Sequence, residues 1–407
     1  MILGADGYIG FPLSMHLACK GFEVIGVDAF FRRKWVDQVG SHSATPITSM
    51  KERLSAFKET FGKEICFENG DLRNYDFVSR IVREYRPDTI IHLGEQPSAP
   101  FSMIDVDNAV MTQTNNLVST LNILYAIKHS VPHCHLVKLG SMGEYGAVNM
   151  DIPEGFCDIK VNGRSETMMF PRHAFPDWYH WSKVYDSGNI MMACEIWGLK
   201  SSDIMQGIVY GTRTDEMVNE NLLTRFDFDA VFGTFLNRFC AQAVLGHNLT
   251  VYGSGNQKRP IISLRDSIQC LTLVVENPPE DGEYRVFNQF DEVYSIGDVA
   301  TRVKSVGDRL GLSFEVSHCE NPRIENEQTP RYNPIHNKLY ELGFRASYSL
   351  DEELVRILHD LLSYKSRIMA KSNQIDPNVS WDPSRVARTR DIEGIKLVCR
   401  DFASEYD

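Results

Sequence analysis

Short apolar runs alternate with helix-like patterns through the first half of the chain. The runs are MILG (1–4), FEVIGVD (22–28), KEICFENGD (63–71), TIIHLG (89–94), CHLVKLGS (134–141) and SSDIMQGIV (201–209). Strands that alternate with helices indicate βαβ units, and such units build a parallel sheet covered by helices on both faces. The sequence therefore predicts an α/β fold with a doubly wound parallel sheet.

The pattern loosens in the second half of the chain. It predicts helices over 229–247, 295–310 and 350–369, and strands at LTVYG (249–253) and EYRVFNQF (283–290). We expect a main domain over residues 1–205 and a smaller α/β lobe with a polar tail over 206–407, partly interleaved with the first. Insertions near 29–64 and 147–177, the second with a hairpin-like turn at 161–164, are expected to wall a site.

Composition excludes several classes of protein. The 407 residues carry a net charge of −12, which disfavours sequence-independent nucleic-acid binding because that needs a basic face. The nine cysteines form no CxxC pair and indicate reduced thiols without a metal site. No apolar run is long enough for a membrane span, and because the first strand starts at Met1 we expect no targeting leader. We expect a cytoplasmic protein that binds neither nucleic acid nor membrane.

GADGYIG (4–10) follows a strand and opens a helix. Gly4 and Gly7 permit a tight turn and let backbone amides approach a pyrophosphate at the helix N-terminus, as in a Rossmann-type site. Asp28 ends the second strand, where its carboxylate can accept hydrogen bonds from a ribose and so favours NAD over NADP. Asp71, His92 and Gly94 end the next two strands beside the expected cofactor.

YHWSK (179–183) places Tyr179 and Lys183 four residues apart on one helix face. A nearby ammonium lowers the pKa of a phenol, so Tyr179 could serve as a general base. Ser141, at a strand end, could hydrogen-bond the same substrate hydroxyl. Such a pair is often a surface feature, but after a dinucleotide-binding half it indicates catalysis.

In these motifs the chain resembles the extended short-chain dehydrogenase/reductase superfamily over residues 1–370. The resemblance implies that NAD takes a hydride from sugar C4 and later returns it. It also places further residues at the cofactor: Tyr8, Ile9, Arg32, Leu72, Asn115 and Val209.

Ser141 is followed by Met142 and Gly143, where 4,6-dehydratases of this superfamily carry an Asp and a Glu. A 4,6-dehydratase is therefore disfavoured. Longer strings resemble the UDP-sulfoquinovose synthase family: HLGEQPSAPFSMID (92–105), HLVKLGSMGEYG (135–146), WYHWSKVYDSGNI (178–190), MQGIVYGTRTDE (205–216), DFDAVFGTFLNRFCAQAVLGHNLTVYG (227–253), FNQFDEVYSI (287–296), ENPRIENE (320–327) and NVSWDP (378–383).

That family converts UDP-glucose and sulfite to UDP-6-sulfoquinovose through a 4-keto-5,6-ene. A neutral Met142 near C6 would not repel sulfite, although Met142 could equally be a core residue. Glu144, His180 and Tyr179 are candidates for moving the C5 and C6 protons, and His180 could instead face its helix neighbours.

The family has Arg where Pro97 stands, so Arg32 or Arg33 would have to supply a cation for sulfite. Arginines grip diphosphates through bidentate hydrogen bonds, whereas Arg265 is as easily an ion pair with a neighbouring Asp. The resemblance places the following residues at the substrate: Gln96, Ser141, Gln206, Thr234, Asn237, Thr250, Tyr252, Arg259 and Arg323.

Helices over 105–129 and 179–197 carry broad apolar content, and in relatives the matching pair forms a dimer contact; a homodimer or homotetramer is expected. We also class the expected enzyme as a hydrolase that serves sulfolipid biosynthesis. Two alternatives remain open: a UDP-sugar 4-epimerase, and a non-catalytic NAD-sensing protein, against which the Tyr-x-x-x-Lys pair argues.

Overall fold

The computed structural model describes residues 1–323, 331–376, 379 and 381. Its strands are β1 (Ile2–Leu3), β2 (Val24–Asp28), β3 (Ile65–Asn69), β4 (Thr89–His92), β5 (His135–Leu139), β6 (Asp151–Ile152), β7 (Phe156–Val161), β8 (Arg164–Met169), β9 (Lys200–Gln206), β10 (Ile208–Tyr210), β11 (Leu249–Tyr252), β12 (Lys258–Ser263), β13 (Tyr284–Gln289), β14 (Glu292–Ser295), β15 (Val316–Cys319) and β16 (Asn333–Pro334).

Its α-helices are α1 (Gly10–Lys20), α2 (Phe31–Gln38), α3 (Met50–Phe61), α4 (Tyr75–Tyr85), α5 (Ala99–Ser102), α6 (Val106–Ser130), α7 (Trp178–Trp197), α8 (Phe235–Leu245), α9 (Leu264–Glu276), α10 (Ile296–Arg309), α11 (Asn337–Glu341), α12 (Leu350–Ser363) and α13 (Lys365–Met369). Single turns of 3₁₀-helix cover Met142–Glu144, Glu220–Leu222 and Ser372–Gln374. Of the helices in these described ranges, none is long and apolar enough to cross a membrane.

The main sheet has seven strands in the order β13-β9-β5-β4-β1-β2-β3, all parallel. β1 lies between β4 and β2, where Ile2 pairs with Ile91 on one side and Gly26 on the other. One face packs against a core that includes α4, α6 and α7, and the other against a core that includes α1 and α9. The predicted doubly wound α/β fold is confirmed.

The smaller lobe has a separate core built largely from α8, α10 and α12. It also holds a three-stranded sheet in the order β10-β12-β14 and the parallel pair β11 and β15. Two strand assignments differ from the sequence-based ones. EYRVFNQF contains β13, which joins the edge of the main sheet, because six residue pairs with β9 bury it there.

SSDIMQGIV forms two strands, β9 and β10, that separate at Gly207. A Cβ on Gly207 would lie 2.8 Å from the carbonyl oxygen of Pro260, so a side chain would not fit where the chain passes between sheets. The helix predicted from residue 229 begins at Phe235, because the Thr234 side chain caps it. The segment from Leu350 divides at Tyr364 into α12 and α13.

Both insertions contain regular structure. The first forms α2 and α3, and α3 opens with a capping box between Ser49 and Glu52. The second carries the antiparallel hairpin of β7 and β8, whose turn residues Asn162 and Gly163 have φ values of 49° and 78°. Positive φ at both central residues gives a turn that matches strand twist. The tail over 382–407 and most of the two strings at 320–327 and 378–383 lie outside the described residues.

Candidate active site

A cavity of about 430 Å³ opens at the carboxyl edge of the main sheet, facing the smaller lobe. Parallel sheets bind ligands at this edge, where loops after several strands converge. The residues expected at the site that line the cavity are Gly4, Gly7, Tyr8, Ile9, Asp28, Arg32, Asp71, Leu72, Gly94, Asn115, Ser141, Met142, Tyr179, His180, Lys183, Gln206, Val209, Thr234, Tyr252, Arg259 and Arg323.

The glycine turn after β1 has the shape that a dinucleotide needs. Gly4 has φ of 88°, and a Cβ there would lie 2.6 Å from the backbone of Leu93. A Cβ on Gly10 would lie 2.0 Å from the carbonyl oxygen of Gly4. The turn therefore tolerates no side chains at these positions and leaves the N-terminus of α1 open toward the cavity, where backbone amides can hold a pyrophosphate.

Asp28 lies at the end of β2 on the cavity wall. Its carboxylate accepts hydrogen bonds from the backbone N–H of Asp6 at 2.8 Å and of Phe30 at 2.6 Å. Burial, together with the neighbouring charge of Asp6, raises the pKa of Asp28 to about 6. These features fit a carboxylate that holds a ribose.

His92 is placed differently from the expectation, because it is fully buried and is not among the residues that line the cavity. Its Nε2 lies 3.4 Å from the Thr120 hydroxyl. Burial and the charges of Lys183 and Lys138 lower the pKa of His92 to about 3, so the imidazole is neutral. His92 therefore lies behind the residues that line the cavity.

Tyr179, Lys183 and Ser141 come together at the cavity. The phenol of Tyr179 hydrogen-bonds the Ser141 side chain. Lys183 donates through Nζ to the carbonyl oxygen of Leu139 at 2.6 Å and contacts the carboxylate of Glu95. Burial raises the pKa of Tyr179, with smaller contributions from the charges of Glu144 and Asp177. The direction of this pKa shift is therefore opposite to the lowering expected from Lys183.

Glu144 is not brought into the cavity. Its fully buried carboxylate lies 3.1 Å from the ammonium of Lys138 and 3.3 Å from Arg172, and it accepts a hydrogen bond from the backbone N–H of Ser141 at 3.0 Å. A carboxylate held by two cations and a backbone amide is fixed in place, so Glu144 orders the turn after β5 instead of facing a substrate.

Met142 and His180 both line the cavity, and they follow Ser141 and Tyr179 directly along the chain. Met142 is 3% exposed and also packs in the core of the main domain. The His180 Nδ1 lies 2.6 Å from the carboxylate of Asp177, while its Nε2 faces Gly143, where a Cβ would be 2.1 Å away. A carboxylate that holds one imidazole nitrogen orients the other for proton transfer.

Three expected substrate residues are not on the cavity wall. The Gln96 amide donates to the carbonyl oxygen of Ser98 in its own loop and to the Thr112 hydroxyl in α6. Asn237 hydrogen-bonds the Tyr8 side chain, and the Thr250 hydroxyl accepts from Gln242 at 2.8 Å. These side chains satisfy buried polar groups of the framework, which sequence spacing does not reveal.

The two cations suggested for sulfite differ in their surroundings. Arg33 binds the buried carboxylate of Asp6 at 2.7 Å in two hydrogen bonds and is thereby committed to the framework. Arg32 pairs with Asp227 at 2.7 Å and packs over the ring of Phe232, yet lines the cavity. Arg265 contacts Asp215, which is the ion pair with a neighbouring Asp that the sequence predicted as the alternative to diphosphate binding.

Three charged residues of the wall were missed: Arg238, Lys258 and Glu95. Arg238 is buried against Tyr252, with its guanidinium 4.1 Å from the ring centre, and it donates to the carbonyl oxygen of Thr250 at 3.2 Å. Glu95 follows β4 within the quoted GEQ string. In the sequence, a charged residue beside glycine and glutamine looks like part of an ordinary exposed loop. Only the burial of Glu95 and Arg238 in the structure distinguishes them from surface charges.

This fold and site define an NAD-dependent enzyme that modifies nucleotide sugars. Family models agree: one described as GDP-mannose 4,6 dehydratase matches residues 1–192, and one described as the NAD dependent epimerase/dehydratase family matches residues 210–289. The fold also matches UDP-glucose 4-epimerase from Bifidobacterium longum, solved in complex with NAD+ and UDP, with a TM-score of 0.64 at 18% identity over 92% of this chain and 99% of that one.

UDP-sulfoquinovose synthase from Sulfolobus acidocaldarius is 48% identical over 96% of this chain and 99% of its own length. The chloroplastic UDP-sulfoquinovose synthase of Spinacia oleracea is 47% identical over 94% of this chain and 78% of its own length. The chain therefore belongs to the UDP-sulfoquinovose synthase family, and the predicted family and cofactor are confirmed.

The expected classification as a hydrolase is wrong. The relatives are synthases and the structural neighbours are epimerases, and both stand apart from enzymes that cleave a bond with water.

Proposed function

We propose that this protein converts UDP-glucose and sulfite to UDP-6-sulfoquinovose. The observation that carries the proposal is the composition of the wall beside Tyr179. Ser141 and Lys183 complete a C4 oxidation site there, but the next wall residues are Met142 and His180. A neutral surface near C6 suits the approach of an anion better than a carboxylate would.

The first steps fall to Tyr179. The glycine turn and Asp28 would hold NAD, which would supply reversible hydride transfer at C4. Tyr179 takes the proton of the C4 hydroxyl, Ser141 hydrogen-bonds the same oxygen, and the Lys183 ammonium stabilises the phenolate. The resulting ketone makes the C5 proton acidic.

We assign the C5 proton to His180, because Glu144 is engaged with Lys138 and Arg172. Asp177 holds the imidazole so that the opposite nitrogen can accept a proton. Loss of the C5 proton and the C6 hydroxide gives one water and a 5,6-ene. Sulfite then forms a C–S bond at C6, C5 regains a proton, and the C4 ketone is reduced. The balance is UDP-glucose and bisulfite to UDP-6-sulfoquinovose and water.

The substrate groups follow from the wall. We assign Arg259 and Arg323 to the diphosphate, joined by Arg238, and Gln206, Thr234 and Tyr252 to the rest of the nucleotide sugar. Arg32 is the candidate cation for sulfite, since Arg33 is bound to Asp6. A sulfite-donating protein could take the place of free sulfite.

The assembly is proposed to be a homodimer or homotetramer. The helices α6 and α7 expose apolar side chains that include Leu121, Tyr125, Tyr185, Met192 and Ile196. A patch of this kind on a helix pair is typical of an interface. The cytoplasmic location stays a prediction, and the product's use in sulfolipid biosynthesis is part of the proposal.

The test is mass spectrometry of the nucleotide sugar after purified protein is incubated with UDP-glucose, with and without sulfite. A sulfonate-for-hydroxyl product that appears only with sulfite, and that the Tyr179→Phe variant does not form, would support the proposal. UDP-galactose formed equally well without sulfite would instead make the protein a 4-epimerase.

A further inference from the structure

A buried carboxylate stands behind the catalytic lysine. Glu95 follows β4, is 7% exposed, and lines the cavity. Its carboxylate contacts the Lys183 ammonium, and its Oε1 lies 3.4 Å from the Nε2 of the neutral His92. A carboxylate this deeply buried is costly unless a cation compensates it, and Lys183 is that cation.

The ammonium of Lys183 is held from two strand ends at once. Glu95 contacts it from the end of β4, and the carbonyl oxygen of Leu139 accepts from it at 2.6 Å at the end of β5. Burial lowers the pKa of Lys183 to about 8, although Asp186 and Asp203 act in the opposite direction. Two fixed contacts leave the ammonium little freedom to move away from Tyr179.

The other charged groups around this pair are engaged elsewhere. Lys138 lies 3.1 Å from Glu144 and 3.5 Å from Asp203, and Arg172 faces the same two acids. Asp186 lies one turn along α7 and acts on Lys183 through its charge, without a direct ion pair among the described residues. Within the described ranges, Glu95 is thus the carboxylate that contacts Lys183 directly.

We propose that Glu95 is a positioning residue for the C4 oxidation, which acts as the counter-ion of Lys183 and sets the charge that Tyr179 experiences. This inference rests on the proposed roles of Tyr179 and Lys183. With the carboxylate present, the ammonium is compensated, so Tyr179 remains a strong enough base to take the C4 proton and give it back.

The Glu95→Gln variant tests this, because it keeps the shape and removes the charge. Without the negative charge, both the phenol of Tyr179 and the ammonium of Lys183 lose protons more easily. We therefore expect both limbs of the pH profile to move to lower pH, by about one unit. The readout is the rate at which UDP-glucose reduces the bound NAD, measured across pH before sulfite is added.

The conservative variant Glu95→Asp keeps the charge but withdraws it by one methylene, so we expect a smaller displacement in the same direction. If the Gln variant does not fold, the pH profile of the Asp variant tests the inference by itself. Limbs that coincide with those of the unchanged protein in every folded variant, whatever the loss of rate, would overturn the inference. Failure of the unchanged protein to reduce NAD would instead contradict the proposed function.

Discussion

At the scale of single residues, the site keeps the oxidation pair of its superfamily and changes the neighbours. Met142 contributes a thioether to the wall that His180 also lines, and the nearest acid along the chain, Glu144, is turned into the framework. The change removes negative charge at the place where we propose that sulfite attacks. Charge at this position is therefore the property to vary.

Met142→Asp is expected to raise the KM for sulfite at least tenfold, about 1.4 kcal/mol, because an anion would approach an anion. Met142→Leu is the matched control, since it keeps volume and neutrality. Steady-state rates at varied sulfite and saturating UDP-glucose measure the effect. Equal KM values for the two variants would return Met142 to a purely structural role.

We expect Asp28 to make the binding of NAD depend on pH. Its pKa of about 6 in the structure means that the carboxylate becomes protonated as the pH falls through this value. The raised pKa also stabilises the fold at low pH, a contribution that is lost as the pH rises through about 6. Because a ribose donates hydrogen bonds to the ionised form, we expect the Kd for NAD of the apoprotein to rise below about pH 6.

Calorimetric titration of the apoprotein with NAD across this pH range checks the expectation. The Asp28→Asn variant should bind more weakly, by about tenfold or 1.4 kcal/mol, and without this pH dependence. A Kd that stays constant through pH 6 in the unchanged protein would be inconsistent with the assignment of Asp28.

At the scale of elements, the turn after β5 and the start of α7 form one unit. Asp177 caps α7 through the backbone N–H of His180 and also binds its imidazole. Gly143 leaves room for that imidazole against the turn. Local cap chemistry and catalytic geometry are thus fixed by the same carboxylate.

Gly143→Ala is expected to reduce kcat about 100-fold, because displacement of a catalytic group by about 1 Å has an effect of this size. The matched control is Gly188→Ala in α7, where a Cβ meets nothing within 4 Å. That control should retain activity and gain about 0.5–1 kcal/mol of stability. Rates together with thermal unfolding separate the two effects, and full activity in Gly143→Ala would remove His180 from this mechanism.

At the scale of the whole molecule, the chain passes from the main domain into the smaller lobe and then back again. β13 returns to the main sheet after the chain has built β11 and β12 of the smaller lobe. Tyr284 of β13 contacts the buried carboxylate of Asp203 in β9 through its hydroxyl at 2.5 Å. The main sheet therefore includes a strand, β13, that lies beyond the domain boundary expected at residue 205.

A fragment of residues 1–205 is expected to lack a cooperative thermal transition. It would expose the edge of β9 and leave Asp203 without the Tyr284 hydroxyl. Circular dichroism during heating tests this, with the full chain as control. A sharp transition in the fragment would mean that the main domain folds without β13.

Sequence patterns could predict the sheet, the glycine turn, Asp28 and the Tyr179–Lys183 pair, because each depends on local spacing. They could not predict that EYRVFNQF joins the main sheet, since an apolar strand fits either sheet equally well. Nor could they separate Glu144, which is bound to Lys138, from His180, which faces the cavity. Such assignments depend on contacts between residues far apart in the chain.

The proposed mechanism is tested most directly by the reaction in D₂O with UDP-glucose and sulfite. The nucleotide sugar is then analysed by mass spectrometry and NMR. A 5,6-ene that is protonated again at C5 must leave one carbon-bound deuterium there. We predict a C6 sulfonate with deuterium at C5 and none at C4. A sulfonate without deuterium at C5, or a sugar that changes only its C4 configuration, would contradict the mechanism.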